Sequence, residues 1–542
     1  MIPAMATGPP PAQRWLFGPA PDLLLGCGLA YVALFGVFLA AGDWWAGAAP
    51  AWLAPLCVLA LSLPHYGATL VRVYEHASDR RAYSIFTVWA TLALAAAFVA
   101  GVYSPAVGSV LLTLYLSWSP WHYTGQNYGL AVMFLRRRGF APDGAAKRWI
   151  HASFALSFAL TLCVMHESSS WADTRVLPQT GPALHFVAVG VPGSAWLVPA
   201  VALAWVASSA VALGWMVRRA GAEALPAALL VVTQSLWFAV PAAVLHWRVL
   251  PGIAPLDPAS VTVFLVWIAI GHAVQYLWVT AYYARAASDW RGLGPWLGKT
   301  LAAGALVWTV PVALFAAGPL RAPSYETGLA FLVASVVNLH HFVLDGAIWK
   351  LRHHRIARVL IASAAAEPEE RGVGGWLRTS VWALAAASLL VAVLVFAAES
   401  FVLPRALAGE PDRAATVLDA LAVVGRDASH PRAQVAAALA ANGRNAEALA
   451  QFRRSAELRP SAQTFANLAL VHARLGETDQ SLRAQDRALE LDPSDPALLQ
   501  FVALLSERQG DAARARELRE RAAAATRGNA GAPAAQGRPA LY

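Results

Sequence analysis

The residues of this chain best suited to chemistry are histidines set inside apolar runs. His65 lies in SLPHYGATLVR, His122 in WSPWHYTGQNYG, His272 in IGHAVQYLW, and His340 and His341 in VNLHHFVLDGAIWK. An ionisable group in a long apolar helix is costly to bury and therefore faces a cavity or another polar group. Arg72, Arg136, Arg285 and Lys350 are the basic residues that end these four runs. At the helical rise, each histidine sits on the order of 10–20 Å from its basic end, which places the imidazoles in one layer. Polar side chains accompany them at helical spacing: Gln126 after His122, Gln275 after His272 and Asp345 after His341, each pair sharing a helix face. A metal-bound imidazole commonly donates from its second nitrogen to an amide or carboxylate, so these three are the expected outer partners. The pattern points to a buried metal centre whose ligands are His65, His122, His272 and one or both of His340 and His341. Imidazole without thiolate suits iron, zinc or copper. Iron is the expectation, because an all-histidine site in lipid suits oxygen chemistry on apolar substrates.

The bland alternative for any single histidine is an interfacial or hydrogen-bonded residue near a helix end. His76 and His151 read that way, and His353 and His354 belong to a basic juxtamembrane segment. His166, His185 and His246 fall away from the layer, and His430 and His472 are expected to face solvent. Trp118, Trp121, Tyr123, Tyr128, Tyr276, Trp278 and Trp349 flank the histidines and are expected either to line a cavity for a flat apolar ligand or to pack.

The elements that must hold these groups are transmembrane helices. Of 542 residues 58% are hydrophobic and 13% charged, against roughly 25% charged in soluble domains. Runs long enough to span begin near Pro21, Ala51, Ala82, Pro105, Arg148, Val191, Glu223, Pro258, Leu297, Thr327 and Trp376, about eleven in all. The fold class is thus all-α, a polytopic bundle over 21–400 behind a short segment 1–20. Pro120 is expected to kink or break the longest run. Basic residues recur after every second run (Arg72, Arg80 and Arg81; Arg136 to Arg138; Arg218 and Arg219; Arg285 and Arg291; Lys350 to Arg358), while the other boundaries are poor in them, with Asp43, Arg175, Arg248 and Arg321. The positive-inside rule places the N-terminus in the cytoplasm and, after eleven spans, the C-terminal region on the periplasmic side of a bacterial inner membrane. The net charge of +9 is accounted for by these boundaries, and nucleic acid is not an expected partner. No cleavable signal peptide is evident. Cys27, Cys57 and Cys163 lie in apolar runs and read as buried small residues.

After Arg405 the sequence becomes rich in Ala and charge, with a period near 34: Gly443, Gly476 and Gly510 share a phase, as do Ala448, Ser481 and Ala515, and Pro460 and Pro493 close two repeats. This resembles the tetratricopeptide (TPR) family, which implies paired helices over 405–526 and a face for a protein or peptide partner. Asp412 to Gly425 reads as a capping helix, and 527–542 as a disordered tail.

In the membrane region, LPH at Leu63 to His65, WHYTGQ around His122 and the polar residue three after His272 resemble the bacterial membrane carotene-cleaving dioxygenases (Brp/Blh). That resemblance implies one non-haem iron on four histidines, with His65, His122 and His272 among them. It leaves the HHFVLD stretch unmatched. The first functional expectation is therefore a non-haem iron oxygenase acting on a lipid or isoprenoid in the bilayer. The alternatives are a membrane-anchored TPR scaffold for an envelope complex and a histidine-dependent transporter. No Walker A, GxSxG, HExxH or dinucleotide fingerprint is present.

Overall fold

The computed structural model describes residues 14–41, 50–75, 81, 83–167, 184–247, 261–286, 290–316, 324–351, 354–363 and 375–528. The expectations for His76, His353, the segment before residue 14 and the tail 529–542 lie outside these residues, as do Asp43, Arg80, Arg175, Arg248 and Arg321. Among the described residues every regular element is a helix. The chain forms two compact units, Met1–Pro311 with Phe331–Phe396, and Val312–Ala330 with Ala397–Tyr542.

The first unit begins with a bent pair, Pro19–Gly26 and Leu29–Val37, meeting at 58° (α1). There follow α2 (Leu53–Tyr74), α3 (Ile85–Tyr103), α4 (Pro105–Arg137), α5 (Gly144–Met165), α6 (Ser194–Trp247), α7 (Val261–Arg285), α8 (Leu293–Ala316), α9 (Leu329–Ile348), α10 (His354–Leu360) and α11 (Gly375–Leu407). Among the described residues seven of these, α2, α3, α5, α6, α8, α9 and α11, are long and apolar enough to cross a membrane, or eight with the bent pair. The expected count of about eleven is corrected accordingly. The runs from Val191 and Glu223 form the two arms of α6, which turns at Gly221 (φ +53°, ψ −130°) so that Val198 of the first arm packs with Ala239 and Ala242 of the second. The 33-residue α4 is long enough, but Ser117, Ser119, His122, Thr124, Gln126 and Asn127 make it too polar. The start of α7 lies where side chains are outside the description. The exposed faces are apolar, with Ile85, Trp89, Trp196, Leu203 and Trp376 each more than 60% accessible, as suits contact with lipid. Burial is greatest for α9, at 61% of its apolar window, and least for α11, at 11%; α9 is the helix surrounded by others.

Close approach of backbones fixes the bundle. A Cβ on Gly67 of α2 would lie 1.7 Å from Thr300 O of α8, and one on Gly304 would lie 1.8 Å from Leu63 O. The two helices therefore touch backbone to backbone, the small-residue contact of membrane helices. Polar side chains tie other helices: Asn127 Nδ2 donates to Gln234 Oε1 (3.0 Å), and Gln234 Nε2 donates to Thr124 Oγ1 (2.8 Å) and Ser157 Oγ (3.4 Å), joining α4, α5 and α6. At one end Asp22 accepts from Leu16 N, Phe17 N and Trp278 Nε1. Arg137 donates there to the carbonyls of Trp15 and Leu360. Pro120 does not break α4, which runs through it; Thr124 Oγ1 donates to the Pro120 carbonyl at 2.6 Å.

The second unit holds α12 (Pro411–Val423) and three helix hairpins: α13 and α14 (Ser429–Ala441, Asn445–Leu458), α15 and α16 (Ala462–Arg474, Thr478–Leu491), and α17 and α18 (Pro496–Arg508, Ala512–Gly528). Gly443, Gly476 and Gly510 make the turns with φ of +75°, +75° and +89°, the left-handed conformation that closes a helix and that a Cβ opposes. Ala448, Ser481 and Ala515 are fully buried at the helix contacts. Arg426 pairs with Glu399 (2.7 Å) and lies over the Tyr325 ring (3.7 Å), and Glu326 accepts from Ser429 N (2.8 Å). His472, expected at the surface, is instead buried and bonded to Glu477.

The α2–α8 contact leaves no room for a methyl group. Gly67→Ala and Gly304→Ala are each expected to lower stability by about 3 kcal/mol, at the top of the overpacking range, read as a lower melting temperature in detergent. An unchanged melt for both would contradict the backbone contact.

Candidate metal centre

The helices position the site histidines in different ways. In α2 the turn Val58–Ser62 is widened to a π turn, and Leu63, Pro64 and His65 follow it directly. Pro64 has no N–H to give to the carbonyl of Ala60, which favours that widening. His122 follows Pro120 by two residues. His272 follows Gly271, whose missing Cβ admits the rings of Trp237 and Tyr31 at 3.1 and 3.2 Å. His341 lies on the most buried helix, α9.

The four side chains converge. His65, His122, His272 and His341 each offer a ring nitrogen, and these four atoms lie within 4.8 Å of one another. The rings form a closed cycle with centroids 4.9 Å apart for His65–His272, 5.0 Å for His272–His122, 4.9 Å for His122–His341 and 4.3 Å for His341–His65. Neighbouring planes are steeply crossed, at 69–84°. Nε2 of His65, His122, His272 and His341 is in every case buried with no hydrogen-bond partner. Buried polar atoms without partners are rare. Four in one place, all of a type that binds metal through a lone pair, fit a metal ion. The rings are held from outside. Tyr123 stacks on His272 at 3.9 Å, and Phe342 on His122 at 4.5 Å. His341 Nδ1 lies 3.0 Å from Thr69 Oγ1.

No family model matches the chain, and no curated protein is similar to it. Among solved structures, that of MamA is similar to 29% of this chain and is itself covered over 99% of its length, at 17% identity and a TM-score of 0.22. A likeness that low carries no argument about function.

The expected partners are rearranged. Gln126 and Gln275 do not touch a histidine. Gln126 donates to Gln275, and Gln275 Nε2 donates to Gly26 O at 2.9 Å, so the two amides join α4, α7 and α1. His340 points away from the group, with Nε2 2.9 Å from Thr91 Oγ1 and 3.2 Å from the Tyr74 hydroxyl. Asp345 does reach the site. Its Oδ1 accepts from Thr69 Oγ1 (2.9 Å) and from the Tyr276 hydroxyl (2.8 Å), and Trp349 Nε1 donates to that hydroxyl (3.0 Å). The sequence reading overlooked Thr69 and Tyr276. Both stand four residues after a site histidine, His65 and His272, so the spacing that selected Gln126 would have found them.

A cavity of about 280 Å³ adjoins the group, lined among others by Trp118, Trp121, His122, Gln126, Tyr276 and Asp345. Gly125 and Gly129 of α4 and Gly346 of α9 also line it, and a Cβ at any of them would meet nothing within 4 Å. Trp118 and Trp121 are 41% and 40% accessible, so the cavity wall continues onto the outer face of α4. Of the other aromatics, Trp349 lines the cavity. Tyr123 packs on His272, Tyr128 on His151, and Trp278 bonds to Asp22.

Metal analysis of detergent-purified protein separates the two adjacent histidines of α9. His341→Ala and His272→Ala are expected to lose the co-purifying metal, whereas His340→Ala keeps it. Equal metal in all three variants, or none in the wild type, would remove the case for this centre.

Proposed function

We propose that this chain is a multi-pass membrane metalloenzyme: a metal ion bound by His65, His122, His272 and His341 serves oxygenase chemistry on an apolar lipid or isoprenoid drawn from the bilayer. The observation that carries the reading is the set of four unpartnered Nε2 atoms beside a cavity whose aromatic wall reaches the outer, apolar surface. Iron fits a site of four neutral imidazoles and would supply binding and activation of dioxygen when bound. The chain's own residues do the rest. Tyr123, Phe342 and Thr69 hold the rings. Trp118, Trp121 and Trp349 offer flat faces to an apolar chain. The three glycines keep the wall open, and the surrounding helices exclude water. A dioxygenase reaction places both oxygen atoms in the product and consumes no external reductant, so nothing else need bind here.

The second unit supports a TPR reading in its 34-residue phase, left-handed glycine turns and buried small residues, and in our proposal it takes a protein or peptide partner. From the charge pattern we infer a cytoplasmic N-terminus and, for an odd number of spans, repeats in the periplasm of a bacterial inner membrane. A cysteine introduced at the exposed Arg453 of a variant lacking the three native cysteines should then react with an impermeant maleimide in intact spheroplasts. Reaction only after lysis would place the repeats inside.

The chemistry is tested with isotopically heavy dioxygen supplied to the metal-loaded protein in vesicles of native lipid extract. Heavy oxygen is expected in an apolar product with the wild type and not with His272→Ala. The double change Gly125→Leu and Gly129→Leu fills the cavity where space is free; it should retain the metal and lose at least about 90% of the labelled product. Metal-loaded wild type that labels nothing would refute the oxygenase and leave the metal centre standing.

A further inference from the structure

We propose that Asp345 is a metal ligand in its own right, a fifth donor on the cavity side of the four histidines; this rests on the metal reading above. Spacing alone makes Asp345 an outer partner of His341, four residues before it. The atoms say otherwise. If Nε2 of His341 presents its lone pair to the site, its ring proton is on Nδ1 and is donated to Thr69 Oγ1, 3.0 Å away. Thr69 Oγ1 and the Tyr276 hydroxyl, which accepts from Trp349, lie 2.5 Å apart and 2.9 and 2.8 Å from Asp345 Oδ1, so one of them donates to the other and the second donates to that oxygen. Whichever hydroxyl donates to the other, the chain of donation ends at Oδ1. The hydrogen bonding of that oxygen is thereby satisfied as a carboxylate's, and the role of outer partner to His341 belongs to Thr69.

Oδ2 is left with no donor among the described residues. It lies 3.5 Å from His341 Nε2 and 3.9 Å from His122 Nε2. The first of these separations is too long for a good hydrogen bond. With lone pairs on both nitrogens and a negative oxygen facing them, the three atoms repel one another unless a cation stands between. Donor atoms about 2.1 Å from one ion are separated by about 3 Å at right angles and up to about 4.2 Å when opposite. Both separations fall in that interval.

Charge leads to the same assignment. Four neutral imidazoles leave a divalent ion with its full charge inside an apolar unit, where an uncompensated charge is expensive. Among the described residues of this unit the buried acidic side chains are Asp22 and Asp345, and Asp22 is engaged by Leu16, Phe17 and Trp278. Asp345 is the available counter-charge. It also lines the cavity, so the carboxylate stands between the ion and whatever enters from that side.

Cobalt(II), whose visible spectrum reports coordination number, is the probe. Titrated into metal-free protein, it should give the weak bands of a five- or six-coordinate ion with the wild type. With Asp345→Asn the bands should become several-fold more intense, as in a four-coordinate tetrahedral site, and the affinity should fall at least about tenfold. X-ray absorption at the cobalt edge of the wild type counts neighbours without any variant: four imidazole shells and at least one further light donor are expected. Indistinguishable spectra and affinities for wild type and Asp345→Asn, or four imidazoles alone in the wild type, would overturn the assignment while leaving the histidine centre intact. Wild type that binds no cobalt would remove the centre itself and this ligand with it.

Discussion

A neutral imidazole turned into a closed interior must give its proton to an acceptor or take one from a donor. Where α2, α4, α7 and α9 meet, four such rings each bring a nitrogen within 4.8 Å of the others, and their Nε2 atoms do neither. Each unmet group costs about 1–3 kcal/mol, so together they are a large fraction of a membrane domain's net stability. The arrangement persists because much of the first unit is shaped to hold it. A π turn precedes Pro64 and His65 in α2, glycines bring α2 and α8 into backbone contact two residues from His65, and aromatic rings fix the planes of His122 and His272.

The same tension decides which helices are apolar. A helix facing lipid can carry few polar side chains, because lipid offers them no partner. The α11 helix is of this kind. By contrast, α4 carries so many polar groups in its middle that it fails the measure of a spanning helix, and α9 holds His340, His341 and Asp345 behind the thickest cover of neighbours. Polar residues are thus concentrated where protein surrounds them. Hydropathy finds α2 and α9 and misses α4, so it does not single out the helices that carry the chemistry.

That contrast explains how far the sequence could be read. The helical class and the glycine turns of the repeats follow from periodicity, which backbone hydrogen bonding imposes locally. The convergence of His65, His122, His272 and His341 was legible from their comparable distance to basic helix ends. Their packing partners were not, since Tyr123 meets His272 and Thr69 meets His341 across helices distant in sequence. The choice between His340 and His341 was also closed to pattern reading. Adjacent residues point about 100° apart on a helix, and only the neighbouring helices decide which faces the site. The count of spans differs for another reason: α4 is too polar in its middle to pass as a span, and the runs on either side of Glu223 form one helical segment that turns at Gly221.

Asp345 shows most clearly where spacing stops being informative. A carboxylate one turn after a ligand histidine can hold the outer nitrogen of that ring or reach past it to the ion, and the two arrangements have the same sequence signature. What separates them is the direction in which protons can be donated. Thr69 and Tyr276 form a donor chain that ends at Oδ1, and the other oxygen faces Nε2 of His341 and of His122. An anion in that position inside an apolar unit is stable only beside a cation. Arg72 supplies positive charge to Asp345 from one side, and in our proposal an ion held by the imidazoles, whose own unmet nitrogens call for a cation, supplies it from the other.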